Sequence, residues 1–180
     1  GIVVDLSQQY ALKRPGFAVV TSTHCIMDDN SNLERNISFS IGFNDTDRPK
    51  KFYDPIVSYN ARYQQNGVDS TEEHDKAILF FAHAEIPNGI EPISLFIADN
   101  NQASSIRELF DRPSMAVDYV QAQGRFNVQE DCRILATSGP FLRSNCLVNP
   151  EASGSPLFVQ MRDGTVRVVG VASERATSPQ

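Results

Sequence analysis

Short apolar runs of strand length, rich in β-branched and aromatic residues and closed by turn signals, recur along the chain and constrain it to an all-β fold. Ile37-Ser38-Phe39-Ser40-Ile41-Gly42-Phe43 alternates apolar and polar residues with period two, as a strand with one buried face does. Further extended segments are expected at residues 1–6, 17–21, 52–53, 56–59, 77–82, 115–119, 132–136, 141–148, 157–161 and 166–172. Lys13-Arg14-Pro15-Gly16, Asn44-Asp45-Thr46-Asp47 and Arg162-Asp163-Gly164-Thr165 supply turns between them, the last a hairpin turn. One helix signal interrupts the pattern: residues 104–110 place Ser105 and Glu108 in capping-box spacing, and Pro113 closes the segment. Strand signals on both sides make that helix a connection between an N-terminal half, residues 1–100, and a C-terminal half, residues 114–180, with 101–113 between them.

A chain of 180 residues with 41% hydrophobic and 21% charged residues can bury one sizeable core or two small ones, which excludes a disordered chain. Its net charge of -6 carries no long basic run, which argues against nucleic acid or an anionic membrane surface as the main partner. No apolar stretch approaches the roughly 20 residues of a membrane span, and the first residues lack a leader peptide's pattern, so a mature or trimmed chain is expected.

The stretch with most chemical content is Asn149-Pro150-Glu151-Ala152-Ser153-Gly154-Ser155-Pro156, a sharp small-residue turn before a hydrophobic run. It presents Ser153 as a candidate nucleophile, which at neutral pH needs a histidine base and an orienting carboxylate. His24, at the end of the Phe17 strand, and Asp75, where a polar loop from Gln64 to Glu73 gives way to Ala77-Ile78-Leu79, are the candidates. Of three cysteines, Cys132 and Cys146 flank the turn signal Thr137-Ser138-Gly139-Pro140, so a hairpin can set them opposite one another and leave Cys25 free. Such a disulfide favours an oxidising compartment, secreted or periplasmic, whereas three reduced thiols in a cytosolic protein remain the alternative.

These residues carry a resemblance. Val19-Val20-Thr21-Ser22-Thr23-His24-Cys25 resembles the histidine motif of trypsin-like serine proteases, Asp75-Lys76-Ala77-Ile78-Leu79 their aspartate motif, and Ala152-Ser153-Gly154-Ser155-Pro156-Leu157 the bacterial form of their serine motif. Val168-Val169-Gly170-Val171-Ala172-Ser173 is similar to the strand that runs beside substrate in that family, nearest in style to bacterial glutamyl-endopeptidase-like members. The resemblance spans most of the chain and implies two antiparallel Greek-key β-barrels with a cleft between them. It further implies a His24/Asp75/Ser153 triad, an oxyanion hole from the backbone N–H groups of Glu151 and Ser153, and substrate binding along Val171, Ala172 and Ser173. The position of Cys146 shortly before Ser153 supports its pairing with Cys132. The activity implied is serine endopeptidase cleavage of a peptide or protein substrate, with no cofactor and no metal.

Several positions depart from the family pattern. Glu151 replaces the glycine of the oxyanion hole, where a side chain and a carboxylate both act against a developing negative charge. Ala152 replaces the aspartate that receives the new N-terminus in activated trypsin-like enzymes, and nothing near Ala172 supplies the histidine that reads glutamate substrates. The match to the first barrel begins late and the second stops early, so the edges are expected to need cover from a flanking segment or a partner. These departures motivate the rival reading, a protease-like binding or regulatory module with impaired catalysis. A zinc-deaminase reading of His83-Ala84-Glu85 lacks its C-x-x-C partner motif, and the spacing of His74, Asp75 and His83 does not support a metal site.

Overall fold

The computed structural model describes residues 1–5, 16–42, 49–60, 74–96, 106–120, 125–139, 141–147, 149 and 152–173. In the N-terminal half, β1 (Ile2–Asp5), β2 (Gly16–Thr21), β5 (Ile56–Tyr59), β6 (Ala77–Ala82) and β7 (Ile93–Ser94) form one sheet in the order β5-β6-β2-β1-β7. The antiparallel register of β2 and β6 sets Phe17 against Phe81, Val19 against Leu79 and Thr21 against Ala77. Those residues share one face, and the intervening Ala18, Val20, Ile78 and Phe80 share the other. Both faces carry an apolar cluster, the first buried and the second partly so, and the two strands accordingly read as continuous apolar runs rather than alternating ones.

The hairpin of β3 (Ser38–Ile41) and β4 (Lys50–Tyr53) closes over the first face and brings in Ile41 and Phe52. Phe17 meets Phe52 edge to face at 4.8 Å and stacks on Phe81 at 5.1 Å, so three aromatic rings form the centre of this core.

In the C-terminal half, β8 (Ser114–Val120), β9 (Arg125–Cys132), β12 (Pro156–Gln160) and β13 (Val166–Val171) form a second sheet in the order β13-β12-β8-β9. The β10 (Ile134–Ser138) and β11 (Phe141–Ser144) hairpin stands as its own two-stranded sheet. A separate core of Leu109, Ile134 and Val159 lies on this side. The disulfide joins Cys132 to Cys146 with 4.9 Å between Cα atoms, and Cys25 is free. The two sheets touch where Leu95 bridges Val168 and the Phe96 amide donates to the Val168 carbonyl at 2.8 Å.

The fold is therefore all-β with several sheets, and among the described residues no ladder closes either half into a cylinder. Two strands were not anticipated. β9 carries charge and is exposed on nearly every residue, so it lacks the buried face that makes a strand visible in sequence, and β7 has only two residues. The expected strand at 132–136 starts after Cys132, which belongs to β9, and the one at 141–148 stops at Ser144. Of the expected helix, Ile106 and Arg107 are helical and Leu109 closes the turn on Ile106, while its capping serine lies outside the described residues.

Candidate functional site

Strand β2 ends at Thr21, and the chain turns through a short 3-10 segment, Thr23–Ile26, that carries His24. Because Thr21 pairs with Ala77, the register of two core strands brings the residues beyond them together, and Asp75 arrives beside His24. The carboxylate grips at two points: the His24 amide donates to one oxygen at 2.9 Å, and the His24 Nδ1 lies 2.7 Å from the other. The Thr23 hydroxyl donates to the His74 carbonyl at 3.3 Å and ties the same two segments again. Asp75 has 4% of its side chain exposed and His24 25%, so the acid is enclosed and the ring faces outward.

This arrangement sets the charges. Burial pushes the Asp75 carboxyl up, but hydrogen bonds from the His24 ring, the Ser173 hydroxyl and the His24 amide outweigh it and hold the group below its ordinary value. His24 is pushed up to about 10, first by its hydrogen bond to Asp75 and then by one involving Cys25, against the opposing effect of burial. With Nδ1 engaged by Asp75, Nε2 is the nitrogen left for chemistry.

The C-terminal half contributes through the segment after β13. The Ser173 hydroxyl donates to Asp75, a role for which the sequence offered no signal beyond the position of the serine after an apolar strand. Ala172 is engaged on both main-chain groups: its amide donates to Ser155 at 2.8 Å, and its carbonyl accepts from Gly154 at 2.7 Å and from the buried Ser22 hydroxyl at 2.8 Å. Of the three residues expected along a substrate, two thus bind the site itself through these atoms, and Val171 pairs with Pro156 inside the sheet.

Ser153 sits in the turn that this network holds. Asn149, at its start, is bonded through both its amide and its side chain to Asp118, a buried acid on β8 that the sequence did not single out. The Ala152 and Ser155 amides close the turn on the Asn149 and Ala152 carbonyls, both at 2.9 Å. Gly154 has a φ of +78°, and a Cβ there would collide with the Thr21 hydroxyl and press on the Ser22 amide at 3.3 Å. The Ser153 turn therefore lies directly on the end of β2. The Cys25 thiol donates to the Ser153 carbonyl at 3.4 Å, so the residue next to His24 touches the backbone of the candidate nucleophile.

Among the described residues no hydrogen bond joins the Ser153 hydroxyl to the His24 ring, and none engages the Ser153 amide. Glu151 lies outside the described residues. His74 is paired with Asn60, its Nδ1 lying 3.0 Å from the amide nitrogen, and His83 occupies a turn with a φ of 58°. Comparison with known protein families and with curated proteins finds no match, so the functional reading rests on these residues and their geometry.

Proposed function

We propose that the chain is a serine endopeptidase of the trypsin-like kind, built from two β-barrel halves, 1–100 and 114–180, whose cleft holds His24, Asp75 and Ser153. The observation that carries this reading is the two-point grip of an enclosed Asp75 on His24, assembled across 51 residues of sequence and braced by Ser173 from the other half. A carboxylate held this way fixes the imidazole tautomer and stabilises the imidazolium that proton uptake creates.

In this mechanism the Ser153 Oγ attacks the substrate carbonyl while its proton passes to His24 Nε2. The tetrahedral oxyanion accepts hydrogen bonds from the backbone N–H groups of Ser153 and Glu151, and collapse of the intermediate breaks the C–N bond as His24 returns the proton to the leaving amine. Water, deprotonated by the same imidazole, then hydrolyses the acyl-enzyme. A histidine with its proton held to about 10 is mostly charged at neutral pH, so turnover rises with pH across the alkaline range. The Cys132–Cys146 disulfide supports an oxidising compartment for this activity.

Labelling with a fluorophosphonate tests the reading, because the probe reacts only where base and oxyanion donors are assembled. Labelling on Ser153, lost in Ser153→Ala and accelerated in Glu151→Gly, is the expected result. Absence of labelling at every pH up to 10 in both the native chain and Glu151→Gly would instead favour the protease-like binding module, for which the missing Ser153–His24 bond is the supporting observation.

A further inference from the structure

Among the described residues of the Ser153 turn, every main-chain amide has an acceptor except that of Ser153. The Ala152 amide donates to the Asn149 carbonyl and the Ser155 amide to the Ala152 carbonyl, both at 2.9 Å, and the Gly154 amide donates to the Ala172 carbonyl at 2.7 Å. The direction of the remaining N–H is nevertheless set. In a trans peptide the C=O and N–H point opposite ways, so the bond from Ser155 to the Ala152 carbonyl turns the Ser153 N–H away from Ser155. The Cys25 thiol holds the Ser153 carbonyl on the other side of the residue.

This chain of bonds starts at Asp118. Asn149 closes the turn with its carbonyl, and both its main-chain amide, at 3.3 Å, and its side-chain amide donate to the same Asp118 oxygen. Asp118 is 3% exposed whereas Asn149 is exposed, so a buried strand residue fixes a surface one. No ion pair reaches Asp118 among the described residues. A buried carboxylate without a cation is a costly way to pin a surface turn, and a neutral acceptor would serve if stability alone were at stake. What the charge adds is a firmer hold, since hydrogen bonds to an ionised acceptor are roughly twice as strong as neutral ones.

We propose that Asp118 is a positioning residue for the reaction at Ser153: through Asn149 it holds the turn in the arrangement that leaves the Ser153 amide free to donate to the oxyanion. The inference rests on the endopeptidase reading. Asp118 takes no part in proton transfer. When the clamp is broken, the Asn149 carbonyl is no longer held, the Ala152 amide loses its fixed acceptor, and the Ser153 N–H loses its fixed direction. Donation to an oxyanion is made only in the transition state, so the loss falls on the maximal rate and not on binding.

The test is the concentration dependence of fluorophosphonate labelling at Ser153, which separates the maximal rate from the half-saturating concentration. It is run at the alkaline pH where labelling is fastest, in the Glu151→Gly background if the native chain does not label. Asn149→Asp sets a second carboxylate against Asp118. Loss of one oxyanion donor is worth roughly 10² to 10³ in rate, so the maximal rate should fall at least about tenfold with half-saturation unchanged. Asp118→Asn combined with Asn149→Asp reverses the pair, the amide now donating to the carboxylate, and should recover most of the lost rate. Asn149→Ala, an exposed change, removes only the side-chain bond, should give an intermediate rate, and decides the matter if the aspartate variant does not fold. A merely structural anchor would lower the unfolding free energy in urea and leave the maximal rate of the folded protein native. The proposal is overturned by native maximal rates in the Asn149 variants, or by a reversed pair as slow as Asn149→Asp, while the endopeptidase reading survives because the parent chain still labels. Absence of labelling in both parent chains sinks the endopeptidase reading, and this inference with it.

Discussion

A single carboxylate sets the chemistry of His24. Asp75 is almost fully enclosed, yet it stays ionised because three donors converge on it, and the proton it holds on the imidazole is correspondingly hard to remove. Nuclear magnetic resonance titration should find the His24 ring titrating near 10, and in Asp75→Asn well below that, because the largest of the raising causes is removed. A folded-state value raised in this way stabilises the fold fully below 6.5 and loses that contribution as pH climbs through about 10. Asp75, whose value is lowered, contributes above 3.8 and loses its share as pH falls through the folded value. The stability difference between the native chain and Asp75→Asn should therefore be greatest between pH 3.8 and 6.5 and shrink on either side. A His24 titration unchanged by Asp75→Asn would show that the pair does not control the imidazole.

At the level of elements, the approach to the Ser153 turn is held from both sides. The disulfide fixes the segment after β11 to the end of β9, Asn145 pairs with Arg133 through its amide and its side chain, and Asn149 anchors on Asp118 of β8. A cross-link across 14 residues restricts the unfolded chain by about 3 kcal/mol. Cys146→Ser should lower the unfolding free energy by roughly that amount in urea denaturation, and adding a reductant should bring the native chain down to the variant. Identical curves with and without reductant would mean that the cross-link adds nothing to stability. Much of this element pattern is legible in sequence, since β2, β6, β12 and β13 bury apolar residues on at least one face. β9 is not legible, because its pairing with β8 is decided by the hairpin's main chain while its side chains face solvent on both sides.

Across the whole molecule, the described bonds between the two halves fall at two places, the Leu95 and Phe96 contacts with Val168 and the candidate site. Ser22 to Ala172, Cys25 to Ser153 and Ser173 to Asp75 all join N-terminal to C-terminal residues within the candidate site, and Gly154 packs against Thr21 and Ser22 there. The site is thus part of what holds the halves together. Ser22 is completely buried, so Ser22→Ala removes one cross-half bond with little change of shape, and Ala172 still accepts from Gly154. Destabilisation of about 1 kcal/mol is expected in urea denaturation, together with slower fluorophosphonate labelling of Ser153. Labelling at the native rate would show that this contact holds the halves without positioning the site.

By itself the sequence determined the strand-dominated architecture, because periodicity and turn residues are local properties, and it offered Cys132 and Cys146 as a pair across a turn signal; the candidate set of His24, Asp75 and Ser153 came from the resemblance of three short motifs to a known family. Only the tertiary structure decided that Ser173 braces Asp75, that Asp118 anchors the Ser153 turn, and that Gly154 must be glycine to let the turn lie on β2. Each of these depends on which residues meet across long sequence separations, and pairing between distant strands leaves no mark on the neighbouring residues of either one.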